Sequence, residues 1–176
     1  MYKRILVPFD GSPTSERGLV EAIRLAKDQG ARLRIVHVVE EYVVVQSAGL
    51  DGAGLYAGDL LGTLIEDSKN VVARGLALAA KGGVKAEAGS LERMTSRSSE
   101  CVVEEAVKWR ADLIVMGTHG RRGVSRMMLG SDAEIVVRTS PVPVLLVRSS
   151  DDKPAAKGKA PAKAAAKPKA KAGKSA

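Results

Sequence analysis

A chain of 176 residues with 45% apolar side chains has enough material for one packed domain. Its one cysteine, Cys101, excludes an internal disulfide, and with only His37 and His119 beside it the chain lacks the soft ligands of a structural zinc site. The formal charge of +8 sits mostly in a tail: residues 151–176 carry eight lysines and two aspartates, whereas residues 1–150 balance twenty basic against eighteen acidic groups. No apolar run approaches the roughly eighteen residues of a membrane span, and the apolar start over residues 1–8 is too short for a signal peptide. The expectation is a protein of the reducing cytoplasm with no membrane partner.

In chain order, residues 3–9 read as a first strand that ends at Asp10-Gly11. Ser12 followed by Pro13 is a helix start, with Ser at the N-cap and Pro at the first helical position. Leu19, Ile23 and Ala26 give that helix an apolar face, and Gly30 stops it. Residues 32–39 read as a second strand. A stretch spotted with Gly49, Gly52, Gly54, Gly58 and Gly62 follows no regular pattern. Ile65, Val72, Leu76 and Ala79 then mark the apolar face of a second helix, closed by Gly82-Gly83, and residues 84–89 read as a third strand. Residues 98–109 give a third helix with Val102, Val103, Ala106 and Val107 inward and Cys101 buried. Residues 112–116, 131–139 and 142–147 complete the series as strand, helix and strand. Strict alternation predicts a parallel sheet covered on both faces, and the Val, Ile and Leu content of the first, second, fourth and fifth strands suits burial on both sides.

The most informative segment is the run from Gly117 to Ser131, GTHGRRGVSRMMLGS, placed between a predicted strand and a predicted helix. Its spacing is Gly, two residues, Gly, nine residues, then Gly-Ser. Glycine-rich loops that enter a helix gather backbone amides around anions, because the first turn of a helix leaves its N–H groups unpaired and its dipole favours negative charge. Gly117 and Gly120 would let the backbone approach a bound group, and Gly130-Ser131 stands at the helix start. The plainer alternative is that the glycines turn the chain and Ser131 caps a helix. Asp10, also just past a strand end, is either a ribose or metal contact or an ordinary Asp-Gly turn. Arg121, Arg122 and Arg126 are within reach of phosphate oxygens or simply solvated. Met127, Met128 and Leu129 read as packing residues that anchor the loop, His119 as an incidental polar residue, and His37 as a core histidine. There is no G-x-x-x-x-G-K-[ST], G-x-G-x-x-G or G-x-S-x-G motif, and no general base beside a nucleophile, so no catalytic residue is assigned.

With these residues in view, the chain resembles the universal stress proteins of the ATP-binding type over residues 2–148. The resemblance rests on Val7-Pro8-Phe9-Asp10-Gly11-Ser12, on His37-Val38, on Asp112 through Gly120 with Gly130-Ser131, and on the closing Ser140-Pro141-Val142-Pro143-Val144-Leu145-Leu146-Val147. It implies a doubly wound, five-stranded parallel sheet of order 3-2-1-4-5 in an α/β/α sandwich, Rossmann-like and of the adenine nucleotide alpha hydrolase-like type. The site would lie between strands one and four. Asp10 would contact the nucleotide near ribose or a nucleotide-bound Mg²⁺, Val38 would meet adenine through its backbone, and Gly117, Gly120, Gly130 and Ser131 would surround ribose and phosphates. Pro8, Met116, Arg121 and Asp132 complete the expected nucleotide-binding set. The family commonly pairs through its last strand, which implies a homodimer along residues 142–148, with Val142 at one end and Arg148 at the other. One departure stands out: where the family generally has a small or apolar residue after Gly-Ser, this chain has Asp132.

The implied organisation is a stress-protein domain over residues 1–150 and a tail over residues 151–176. From residue 153 onward the tail contains ten Ala, eight Lys and three Pro and no large apolar side chain, a composition expected to be disordered. The implied function is an ATP-binding cytoplasmic regulator of stress survival rather than an efficient enzyme. Two alternatives are a slow Mg²⁺-dependent ATPase or phosphotransferase using Asp10, and tethering of nucleic acid or another polyanion by the basic tail.

Overall fold

The computed structural model describes residues 1–40, 54–93, 97–119 and 129–148. Gly120, Arg121, the rest of that loop up to residue 128 and the tail lie outside the described residues. The elements alternate strictly: β1 (Arg4–Pro8), α1 (Pro13–Gln29), β2 (Arg32–Glu40), α2 (Gly54–Lys81), β3 (Ala86–Arg93), α3 (Ser98–Trp109), β4 (Leu113–Gly117), α4 (Ser131–Thr139) and β5 (Val144–Val147). They form one parallel sheet of order β3-β2-β1-β4-β5. The expected fold class is thereby found.

The period-2 geometry of strands divides the core in two. Ile5, Val7, Leu33, Ile35, Leu113 and Val115 face one side, where α1 covers them with Leu19, Ala22, Ile23 and Ala26, and α2 with Ala79. Leu6, Val36, Ile114 and Met116 face the other side, under Val102 and Ala106 of α3 and Ala133 and Val136 of α4. Local signals fix several boundaries. Ser12 Oγ accepts the Ser15 amide at 3.2 Å, Pro13 opens α1, and Gly30 closes it in the left-handed conformation (φ 65°). Asp112 ties the sheet's centre together, since its carboxylate accepts the amides of Lys3 at 2.8 Å and Arg4 at 3.1 Å at the start of β1.

Three expectations change. The buried stripe of α2 is not Ile65-Val72-Leu76-Ala79: Ile65 is exposed, and the inward positions include Ser68, Val71, Gly75, Leu78 and Ala79. A Cβ at Gly75 would stand only 3.1–3.2 Å from side-chain atoms of Ile35 and Phe9, so the helix packs closely on the sheet here and a larger residue would require those side chains to shift. In α3, Val107 is 58% exposed, and Glu105 takes an inward place instead. β3 begins at Ala86 and runs to Arg93, later than its apolar content implied.

Glu105 is buried because Arg34 of β2 meets it, with Nε donating to Oε1 at 2.6 Å. The same guanidinium donates to Glu87 of β3 at 3.3 Å, and Glu87 also accepts the Trp109 indole N–H at 2.8 Å. The group fastens α3 across β2 and β3. Removing one partner from a buried pair leaves an uncompensated charge, whereas removing both leaves none. Arg34→Met should therefore lower unfolding free energy by about 3 kcal/mol, and adding Glu105→Leu should restore most of that loss, as urea denaturation would measure.

Candidate functional site

β1 pairs with β2 on one side and β4 on the other, and the connections leave these strands in opposite directions across the sheet. Parallel sheets open a crevice beyond the carboxyl ends at such a reversal. Here that crevice is a cavity of about 470 Å³, within the range of small-molecule sites. Eight of the ten residues expected to bind nucleotide stand in its wall: Pro8, Asp10, Val38, Met116, Gly117, Gly130, Ser131 and Asp132. The other two, Gly120 and Arg121, lie outside the described residues.

Part of the cavity wall is built by the start of α4. Gly130 is the N-cap, and no side chain caps the helix there. The first bond within the helix runs from the Glu134 amide to the Gly130 carbonyl at 2.9 Å, so the amides of Ser131, Asp132 and Ala133 have no helical acceptor. All three residues border the cavity. Ser131 is thus the first helical residue and does not cap the helix with its side chain. The helix entry is held by the Gly130 amide, which donates to the Thr118 carbonyl at 2.9 Å just past β4.

Gly117 has a packing reason for being glycine. A Cβ there would stand 2.8 Å from the Thr14 side chain and 3.0–3.1 Å from its backbone, so α1 and β4 touch at this point. A Cβ on Gly18 would likewise meet the backbone of Met116 and Gly117 at 3.3 Å. This close packing brings the start of α1, and Asp10 just before it, next to the end of β4. Asp10 also serves its turn: its Oδ1 accepts the Ser12 amide at 2.9 Å, so the turn role and the place in the cavity wall coexist. From α2, Arg74 clamps the same turn, donating to the Gly11 carbonyl at 3.2 Å and to Glu16, with its guanidinium 5.8 Å from the Phe9 ring.

The wall also carries apolar side chains, among them Val36, Val38, Val39, Val102 and Met116. His37 also borders the space, and its Nδ1 donates to the Phe9 carbonyl at 2.9 Å. It is half-buried within β2, not the core histidine that its strand suggested. His119 lies in the wall too, with Nδ1 3.0 Å from Thr118 Oγ1. Leu129, expected to anchor the loop, is 37% exposed. Sequence reasoning missed the contributions of Ser68 and Ser99, since small hydroxyl residues within helices carry no recognisable pattern.

This constellation, a doubly wound parallel sheet with an uncapped helix start at its switch point, defines an α/β sandwich protein. The model of the universal stress protein family matches residues 1–148, and the chain belongs to that family. The chain is 36% identical over 149 residues to universal stress protein MJ0531 of Methanocaldococcus jannaschii, covering 84% of this chain and 83% of that one. Among solved structures it is similar to the hypothetical protein MJ0577, at 26% identity and TM-score 0.73, covering 86% of this chain and 99% of the other. It is also similar to a universal stress protein in complex with cAMP, at 25% identity and TM-score 0.59, covering 85% and 98%.

Asp132, in the cavity wall at the start of α4, is exposed. Its carboxylate near a bound anion repels it, in a manner that salt and divalent cations screen. Asp132→Ala should tighten binding of a nucleoside triphosphate about threefold to tenfold without added Mg²⁺, and isothermal titration should show the gain shrinking as Mg²⁺ or salt is raised.

Proposed function

We propose that the chain is an ATP-binding universal stress protein, a cytoplasmic regulator whose partner contacts respond to nucleotide occupancy. The observation that carries this reading is the uncapped start of α4 bordering a cavity whose wall also carries apolar side chains. Phosphates suit the former and a purine ring the latter. The bound cAMP of one similar structure is consistent with the reading. Several charge-assisted bonds from amides to phosphate, each contributing about 1.5–3 kcal/mol, suffice for micromolar binding.

In this reading the amides of Ser131, Asp132 and Ala133 and the backbone of Gly117 take the phosphates, assisted by Gly120 and Arg121. Pro8 and Met116 complete the walls, Val38 offers its backbone to the base, and Asp10 faces ribose. Magnesium enters as an ion carried by the phosphates, with Asp10 as its protein contact; among the described residues no cluster of three His, Cys, Asp or Glu side chains is arranged to hold a metal. The reading extends to a homodimer joined along residues 142–148: β5 ends the sheet, none of its four residues is fully buried, and edge strands readily pair with a second copy.

Ser131 allows a test that separates nucleotide binding from folding. It is the first helical residue, where proline is well tolerated, and the extended backbone of Gly130 (φ −63°, ψ 146°) suits a following proline. Ser131→Pro should preserve thermal stability yet weaken ATP binding at least tenfold by deleting the amide N–H, while Ser131→Ala, which deletes only the hydroxyl, should cost less. Equal affinity of Ser131→Pro and the native chain in titration calorimetry would contradict phosphate binding at this helix.

A further inference from the structure

Asp10 stands in the cavity wall on a turn whose backbone is held on both sides of it by side chains from other elements. The Phe9 carbonyl, just before it, accepts Nδ1–H of His37 from β2 at 2.9 Å. The Gly11 carbonyl, just after it, accepts Nη2–H of Arg74 from α2 at 3.2 Å. Gly11 is left-handed (φ 77°), and glycine restrains its flanking peptides less than any other residue. The orientation of such a turn is set by the bonds its backbone makes. The carboxylate follows it, because Asp10 Oδ1 accepts the Ser12 amide of the same turn at 2.9 Å.

Arg74 reaches this turn because α2 packs closely on the sheet at the next residue, Gly75. Its guanidinium lies 5.8 Å from the centre of the Phe9 ring and also meets Glu16 of α1. The ion pair is a surface one, its side chains 50% and 38% exposed, and such pairs contribute little to stability. Arg74 itself is not in the cavity wall, so its effect on a ligand is indirect. The bond to Gly11 is the contact that connects it to Asp10.

We propose that Arg74 is a positioning residue for ribose recognition: by holding the Gly11 carbonyl, it keeps the Asp10 carboxylate directed at the ribose hydroxyls of the bound nucleotide. This rests on the adenine-nucleotide reading above, with Asp10 at the ribose. A carboxylate bonded to a hydroxyl makes a strong, charge-assisted contact that weakens steeply when misaligned. Without Arg74 the turn rocks and that contact is lost, while contacts to base and phosphates, made from β2 and α4, remain. Arg74 therefore acts on one part of the ligand, which a residue that merely stabilised the fold would not do.

The experiment titrates the full native chain and its variants with ATP and with 2′,3′-dideoxyATP, which lacks only the two ribose hydroxyls, without added Mg²⁺ so that Asp10 is read through ribose alone. The native chain is expected to prefer ATP about tenfold. Arg74→Met is expected to cut that preference to about twofold by weakening ATP alone, its unchanged affinity for dideoxyATP showing that the variant is folded. Adding Arg74→Met to Asp10→Ala is expected to change neither affinity further. Glu16→Gln, which keeps an acceptor for the guanidinium and leaves the Gly11 bond in place, is expected to retain the native preference. The proposal is overturned if Arg74→Met keeps the native preference, weakens both nucleotides equally, or weakens ATP as much in the Asp10→Ala background as in the native one. It is also overturned if Glu16→Gln loses the preference as fully as Arg74→Met, since the ion pair and not the Gly11 bond would then be responsible. A native chain that binds both nucleotides equally removes the ribose contact of Asp10 and this inference, but leaves nucleotide binding standing. A native chain that binds neither removes the adenine-nucleotide reading itself.

Discussion

The reversal of strand order between β1 and β4 is the constraint on which the rest of the molecule depends. Because the two strands are neighbours and their connections depart to opposite faces, a crevice opens beyond their carboxyl ends. Asp10 and Gly117 are delivered to the two sides of that gap by the register that sets Ile5 against Leu113 and Leu6 against Ile114. The contact of Thr14 with Gly117 then fixes how close the sides come. α3 and α4 lie over the same face of the sheet, and residues at both of their N-termini border the same cavity.

Much of this was legible in the sequence where a local rule acts alone. Ser12-Pro13 and Gly30 bracket α1 because capping and left-handed geometry depend on the residues themselves. The ranges expected for α3 and α4, 98–109 and 131–139, agree with those found, and Gly30, Arg110 and Gly130 stand at the expected limits of helices. The strand order came from the family resemblance, since alternation of helix and strand predicts a parallel sheet but not which strand lies next to which.

What could not be read depends on distance in space. The buried face of α2 uses Ser68 and Gly75, so a search for apolar side chains slid to Ile65, which faces solvent. Glu105 looks like a surface residue until β2 brings Arg34 to within 2.6 Å. Gly117 reads as a ligand-access glycine, yet its lack of a side chain is already required by Thr14. At the site, eight expected residues converge on one cavity, because strand ends and helix starts are local signals that the topology gathers in one place.

The central claim is that the backbone at the start of α4 is the anion contact of an adenine nucleotide. The most direct measurement is the ¹H–¹⁵N correlation spectrum of the labelled full chain during titration with ATP and Mg²⁺. The account predicts that the largest amide shifts fall on Gly117, Ser131, Asp132 and Ala133, followed by Val38 of β2. Shifts that saturate elsewhere while these amides stay unmoved, or a spectrum unchanged at millimolar nucleotide, would contradict it.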